Sequence, residues 1–257
     1  MQLPFNPIHR AHEVEALVMQ GEARRYYRFR QAPFYGGIIT ADASGCNILC
    51  GYCWNIEKNS SIEKCTDRFY APAQVATKLR ALMAKHGVRQ YRISGCEPLL
   101  GEASAKHLGA IVSALKGRCI IETNGIALGH DPTLLAHIPK KDVHFRITIK
   151  ADSAKQFERI TGAKASAYKF QLEAIRALEG QKRPYILALM HQFVSMEALG
   201  DRIDEAGIEI SDCLLATDVE GLQYYPQNTK SMRARGLAVL YEKKARDAIL
   251  AEAKKNK

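Results

Sequence analysis

The sequence predicts an α/β chain folded as a partial TIM-like (β/α)6 barrel of parallel strands, on three observations. Apolar, strand-like runs end near Thr40, Ile93, Glu122, Ile149, Met190 and Leu215, and helix patterns lie between them. The residue types that carry chemistry fall at the ends of those runs, where parallel barrels hold their sites. At 257 residues the chain is long enough for one such domain with a large core.

Taken in order, residues 1–33 read as a short lead-in, helical from Ala11, and residues 34–228 as the core domain. Between Ala71 and His86, Val75, Leu79, Leu82 and Met83 repeat at helical spacing, with Pro72 near the start. A second stripe, Tyr168, Leu172 and Ile175, is closed by Gly180 as the expected C-cap. Residues 229–257 read as a basic C-terminal helix and tail. No internal repeat and no second domain is visible.

Composition narrows the setting. No stretch approaches 18 uninterrupted apolar residues, so no membrane span is expected. Residues Met1 to Arg10 lack the apolar core of a signal peptide, and seven cysteines, an odd number, suit metal ligands and free thiols better than disulfides. A cytoplasmic monomer is the expectation. Net charge is +10, concentrated in Arg24 to Arg30, where bases alternate with aromatics, and in Lys230 to Lys257. Such surfaces suit phosphate-rich partners, RNA among them, and equally suit a solvated helix face.

The most informative run is Cys46-Asn47-Ile48-Leu49-Cys50-Gly51-Tyr52-Cys53, spaced C-x3-C-x2-C. It offers three thiolates and no fourth. A [4Fe–4S] cluster held by three cysteines keeps one iron open for another ligand. Zinc is the rival reading, since it also accepts three cysteines and one further group. The remaining cysteines, Cys65, Cys96, Cys119 and Cys213, are scattered and form no C-x2-C pair, so a single cluster is the economical count. Cys119 reads as a core strand residue and Cys65 as a loop thiol.

This loop resembles that of the radical S-adenosylmethionine (radical SAM) enzymes, C-x3-C-x-aromatic-C, with Tyr52 at the aromatic position. Ser94-Gly95-Cys96-Glu97-Pro98 resembles the family's Gly-Gly-Glu-Pro segment, with Cys96 in place of the second glycine. Glu122-Thr123-Asn124-Gly125 and Thr148-Ile149-Lys150 resemble Asp-Thr-Asn-Gly and Asp-Leu-Lys of the glycyl-radical (pyruvate formate-lyase) activating enzymes. Residues Phe157 to Ala163 are similar to uncharacterised archaeal-type radical SAM Fe–S oxidoreductases.

The resemblance implies a radical SAM core with one [4Fe–4S] cluster on Cys46, Cys50 and Cys53, and S-adenosylmethionine bound beside it. Tyr52 would contact adenine, and Gly95, Cys96 and Glu97 the methionyl amino group. Glu122, Asn124 and Thr148 would face the ribose, and Lys150 the carboxylate. Thr148 brings no charge, so a cation site built by two aspartates is not expected. Gln223, Tyr224 and Asn228, in a segment loosely similar to the one closing the activating-enzyme barrel, are candidates for the substrate mouth.

The activity implied is reductive cleavage of S-adenosylmethionine and hydrogen abstraction, fed by an electron donor of flavodoxin or ferredoxin type. A protein or peptide substrate is the first expectation, from the activating-enzyme resemblance. Radical modification of RNA or of a nucleotide-derived small molecule is the alternative, from the charge. A non-catalytic Fe–S or nucleic-acid-binding module is the third reading.

Overall fold

The computed structural model describes residues 2–237. Helix α1 (Pro7–Val18) is followed by strands β1 (Met19–Gln20), β2 (Ala23–Ala32) and β3 (Ile38–Ala43), then α2 (Ile56–Ser60), β4 (Arg68–Tyr70) and α3 (Pro72–His86). The alternation continues through β5 (Gln90–Gly95), α4 (Glu102–Ala114), β6 (Arg118–Thr123), α5 (Ile126–His130) and β7 (Val143–Ile149). It ends with α6 (Ala154–Thr161), α7 (Lys169–Gly180), β8 (Tyr185–Met190), α8 (Met196–Glu205), β9 (Leu214–Glu220) and α9 (Pro226–Ala234).

One open sheet carries the strands in the order β1-β2-β3-β5-β6-β7-β8-β9, with β4 also paired to β2. The six strands from β3 to β9 on this path are mutually parallel, each next to its successor. The expected partial barrel of six parallel strands is therefore present. Its first parallel strand is flanked by β2, which runs antiparallel.

Three local expectations are corrected. The lead-in is helical only over Pro7–Val18, and Ala23–Ala32 is a strand of the sheet. Aromatic residues at Tyr26, Tyr27 and Phe29 favour a pleated, half-buried surface, and they outweigh the helical reading of the arginines. The last parallel strand does not end near Leu215 but runs on to Glu220, because it is an edge strand whose polar residues are tolerated on the open side. Gly180 is the last helical residue of α7, and the left-handed turn behind it is made by Lys182, φ 51. The expected helix over Ala71–His86 forms as Pro72–His86, with Pro72 at its first position and Gly87 as a left-handed cap. Of the C-terminal basic segment, 238–257 lie outside the described residues.

The sheet has two unlike faces. Ile39, Ala41, Tyr91, Ile93, Cys119, Ile121, Phe145, Ile147, Leu187 and Leu189 are buried in the main core with Val75, Leu79, Leu108 and Ile175 from the helices. Each Val, Leu, Ile or Phe among them contributes about 1.5–3 kcal/mol on burial. Because strand side chains alternate, the opposite face takes the residues between them, among them the charged Asp42, Arg92, Glu122 and Arg146. On that inner face Ala32, Ile38 and Ile120 form a small apolar floor with Tyr35. The Arg92 guanidinium sits 4.8 Å over the Phe34 ring, so the turn joining β2 to β3 folds under the inner face. Among the described residues no helix is long and apolar enough to cross a membrane.

Candidate active site

The cysteine loop leaves the end of β3 and is fastened on several sides. Ile48 and Leu49 are buried in the core. The backbone N–H groups of Leu49 and Gly51 donate to the carbonyls of Thr161 and Ile160 at the end of α6, at 3.0 and 2.8 Å. Gly45 has φ +87, and a Cβ there would meet Val14 of α1 at 2.6 Å, so only glycine lets the loop turn under α1. Cys50 is buried while Cys46 and Cys53 are half-buried. The Asn55 N–H donates to Cys53 Sγ at 3.3 Å, and the Asn124 amide stands 3.9 Å from Cys46 Sγ.

Burial pushes all three thiols up, that of Cys53 to about 11, and Cys50 raises both of its neighbours by charge repulsion. Lys150 pulls Cys50 and Cys53 the other way. Thiolates in such a place need a cationic group to bind. Among the described residues no three His, Cys, Asp or Glu side chains converge as a single-ion site requires. The N–H groups aimed at sulfur are of the kind that tunes iron–sulfur clusters.

Beside this loop lies the segment leaving β5. Cys96 N–H donates to the Ala43 carbonyl (3.1 Å) and Glu97 N–H to that of Gly45 (2.9 Å). Gly95 has φ +97, and a Cβ would lie 2.9 Å from Asp42 Cα, so close approach of the two backbones requires this glycine. The Cys96 thiol, which replaces the expected second glycine, receives the Asn55 amide at 3.5 Å. Glu97 is buried and its carboxylate accepts three hydrogen bonds, from Leu99 N–H (3.0 Å), the Thr123 hydroxyl (2.6 Å) and Asn124 N–H (2.7 Å). Burial raises its pKa to about 7 against the opposing pull of those donors.

The ends of β6 and β7 complete the ring. The Asn124 amide donates to Asn47 Oδ1 at 2.7 Å, tying the third segment to the cysteine loop. Lys150 Nζ lies 5.9 Å from the centre of the Tyr52 ring. The Phe193 ring stacks on Tyr52 at 5.2 Å and 12°. Tyr52, Gly95, Cys96, Glu97, Asn124 and Lys150 are thus gathered around the three cysteines.

Two candidates sit elsewhere. Glu122 and Thr148 face the inner side of the sheet, and Glu122 is paired with Arg92 at 2.7 Å. Burial alone would raise the Glu122 carboxyl, but Arg92 and Arg146 hold it below its usual value. Asn228 is fully buried and its amide donates to the carbonyls of Tyr52 (3.0 Å) and Gln223 (2.8 Å), so it fastens α9 to the cysteine loop rather than lining a mouth. Gln223 is exposed and bonded to the Tyr225 hydroxyl, and Tyr224 is half-buried.

Two residues that sequence reasoning missed hold the ring together. Arg24 is completely buried and donates to the carbonyls of Ser44 (3.3 Å) and Glu97 (2.7 Å), clamping the first two segments. Gln171 of α7, also fully buried, donates to the carbonyls of Asn124 (2.7 Å) and Thr148 (2.9 Å) and accepts from Lys150 N–H (3.1 Å). The only available signal for Gln171 was a polar residue on an apolar helix stripe.

Beneath the ring, the inner face is a ladder of ion pairs. Arg28 and Arg30 both bond Asp42 Oδ2 through Nε, at 2.7 and 2.9 Å. Arg92 bonds Glu122 and the Thr40 hydroxyl. Arg146 bonds Asp218 (3.1 Å) and Glu220 (2.5 Å).

Comparison with known proteins agrees with this geometry. Residues 42–206 match the model of the radical SAM superfamily. The chain is 31% identical over 96 residues to the GTP 3′,8-cyclase of Mycobacterium marinum, covering 35% of this chain and 25% of the relative. To the GTP 3′,8-cyclase of Mycolicibacterium smegmatis it is 31% identical over 123 residues, 45% of this chain and 31% of the relative. The chain therefore spans about a quarter to a third of the length of these curated relatives.

Among solved structures, Streptococcus suis SuiB bound to S-adenosylmethionine superposes with a TM-score of 0.51 at 17% identity, over 75% of this chain and 44% of that one. TYW1 with a lysine-pyruvate adduct gives 0.52 at 13%, over 77% and 72%. Spore photoproduct lyase with a dinucleoside spore photoproduct gives 0.54 at 14%, over 81% and 63%. These likenesses establish the fold. With the family model spanning most of the chain and the cysteine ring in place, the chain belongs to the radical SAM superfamily, as an enzyme that binds a [4Fe–4S] cluster and S-adenosylmethionine.

Proposed function

We propose that this enzyme abstracts a hydrogen atom from a nucleotide, free or within RNA. The observation that carries the reading is the inner face below the cysteine ring, where Arg28, Arg30, Arg92 and Arg146 line the sheet. Guanidinium groups are the usual partners of phosphate, and an exposed aromatic beside them suits a base. Trp54, 42% exposed, stands at that edge with Arg28 5.6 Å over its ring. The net charge of +10 and the partial likeness to GTP 3′,8-cyclases support the same class of substrate.

In this reading Cys46, Cys50 and Cys53 hold the cluster. The bound cluster would supply the electron for reductive cleavage of S-adenosylmethionine to methionine and a 5′-deoxyadenosyl radical. The residues of the chain position and shelter that cofactor. Tyr52 lies against the adenine, the backbone of Gly95 to Glu97 receives the methionyl amino group, and Lys150 pairs with the carboxylate. Glu97 orders Leu99, Thr123 and Asn124 through the three hydrogen bonds that its carboxylate accepts. Asn124 remains nearest the ribose, and Glu122 and Thr148 belong to the substrate face. The enzyme needs a reductant, for which a flavodoxin- or ferredoxin-type donor is proposed.

The test is isotopic. Reduced, reconstituted enzyme is given S-adenosylmethionine and either ribose-deuterated nucleoside triphosphates or deuterated RNA, and 5′-deoxyadenosine is analysed by mass spectrometry. Deuterium in the nucleoside supports the reading. Deuterium uptake only from a labelled protein or peptide, with a glycyl signal in electron paramagnetic resonance, replaces it with the activating-enzyme reading.

A further inference from the structure

We infer that the inner face binds its nucleotide with a fixed polarity, phosphates toward Arg28 and Arg30 on β2 and the base toward Asp218 and Glu220 on β9. This rests on the nucleotide reading above and adds the direction in which the substrate lies. The charges of the ladder cancel as a whole but not locally. At the β2 side two guanidinium groups share one carboxylate oxygen, leaving that side one positive charge in excess. At the β9 side one guanidinium serves two carboxylates, leaving one negative charge in excess. Arg92 and Glu122 pair one to one between them.

The free valences point to the same polarity. Arg28 and Arg30 meet Asp42 through Nε, and their side chains are 44% and 27% exposed. Their Nη edges are the forked donors that fit a phosphate. The Asp218 and Glu220 side chains are each 38% exposed, and each gives one oxygen to Arg146. Carboxylate oxygens accept N–H groups such as the N1–H and exocyclic amine of guanine. A nucleotide laid the other way would set phosphate against Asp218 and Glu220, a like-charge contact that selects against that orientation.

The experiment uses cluster-loaded enzyme with S-adenosylmethionine present, titrated calorimetrically with GTP, guanosine and inorganic triphosphate. Trp54, the single tryptophan, gives an optical readout beside Arg28. Three double variants are compared with the parent: Arg28→Gln/Arg30→Gln, the charge-retaining Arg28→Lys/Arg30→Lys, and Asp218→Asn/Glu220→Gln. Iron content and circular dichroism verify each fold.

The glutamine pair should weaken GTP and triphosphate by about tenfold or more, the scale of one lost charged contact, and leave guanosine unchanged. The lysine pair should restore most of that loss. The Asp218/Glu220 pair should weaken guanosine about tenfold while sparing triphosphate. Binding by the parent with no such split, or with the two ends exchanged, overturns the polarity and leaves the nucleotide reading standing. Failure of the parent to bind any of the three overturns the polarity, and the nucleotide reading falls with it when deuterated RNA also gives no deuterium transfer.

Discussion

Asn124 and Glu97 are joined by a 2.7 Å hydrogen bond from the backbone N–H of Asn124 to Glu97 Oε2, and through it the ends of β5 and β6 become one unit. Asn124 extends the unit to the cysteine loop through Asn47, at 2.7 Å. Replacing Glu97 by Gln keeps the shape but puts an NH2 group against a donor, because all three partners of the carboxylate donate to it. The expected result is a stability loss of about 1–3 kcal/mol and an S-adenosylmethionine Kd raised about tenfold, with iron content retained. Calorimetric titration and denaturant unfolding read both, and parent-like values in both contradict the role.

Arg24 makes the next prediction. Its guanidinium is the buried clamp on the Ser44 and Glu97 carbonyls, and burial lowers its pKa despite nearby acidic groups. Arg24→Met removes the charge and leaves both carbonyls without this donor. Loss of about 2–4 kcal/mol in urea unfolding is expected, together with less iron bound per chain after reconstitution. Unchanged iron binding would show that the clamp does not shape the loop.

Gln171→Ala should separate substrate-side order from cluster binding. It deletes three hydrogen bonds to Asn124, Thr148 and Lys150, while the cysteines keep their own anchors on α6. A weakening of S-adenosylmethionine binding by about tenfold is expected, with the cluster's visible absorbance unchanged. Loss of the cluster itself would contradict this division of labour.

The imidazole of His107 yields a pH dependence. It is buried against the Tyr26 hydroxyl (Nε2, 3.0 Å) and the Glu22 carbonyl (Nδ1, 2.7 Å). Burial lowers its pKa to about 4 from the ordinary 6.5. Above the unfolded value the ring is neutral in both states and its contribution is intact. As pH falls from about 6.5 to about 4 the unfolded chain takes up the proton first, and stability drops by as much as about 3 kcal/mol. Urea midpoints at pH 7 and pH 4.5, for the parent and His107→Gln, test this; the variant should have a shallower slope.

The sequence made the parallel strands legible because a strand buried on one face against helices reads as an apolar run ending in a turn. That the cysteines, Gly95, Glu97 and Asn124 meet at one end of the sheet was legible because spacing and strand ends carry them. Arg24 and Gln171 were not, since a buried polar residue that serves backbone carbonyls leaves no spacing signature. Glu122 was assigned to the ribose by its place in a strand-end segment, whereas side-chain alternation turns it to the inner face and onto Arg92. The composition of residues 24–30 fits a basic helix face as well as a strand in which Arg28 and Arg30 share one face, and pairing with β3 decides between them.

The central claim is that Cys46, Cys50 and Cys53 serve radical chemistry on S-adenosylmethionine. The direct measurement is anaerobic reconstitution with iron and sulfide, reduction with dithionite, addition of S-adenosylmethionine, and chromatographic assay of 5′-deoxyadenosine with and without nucleotide. The account predicts nucleoside formation that vanishes in Cys50→Ala and increases with a nucleotide substrate. Equal nucleoside from the Cys50→Ala variant, or none from a parent whose cluster is shown to be present and reduced, would contradict it.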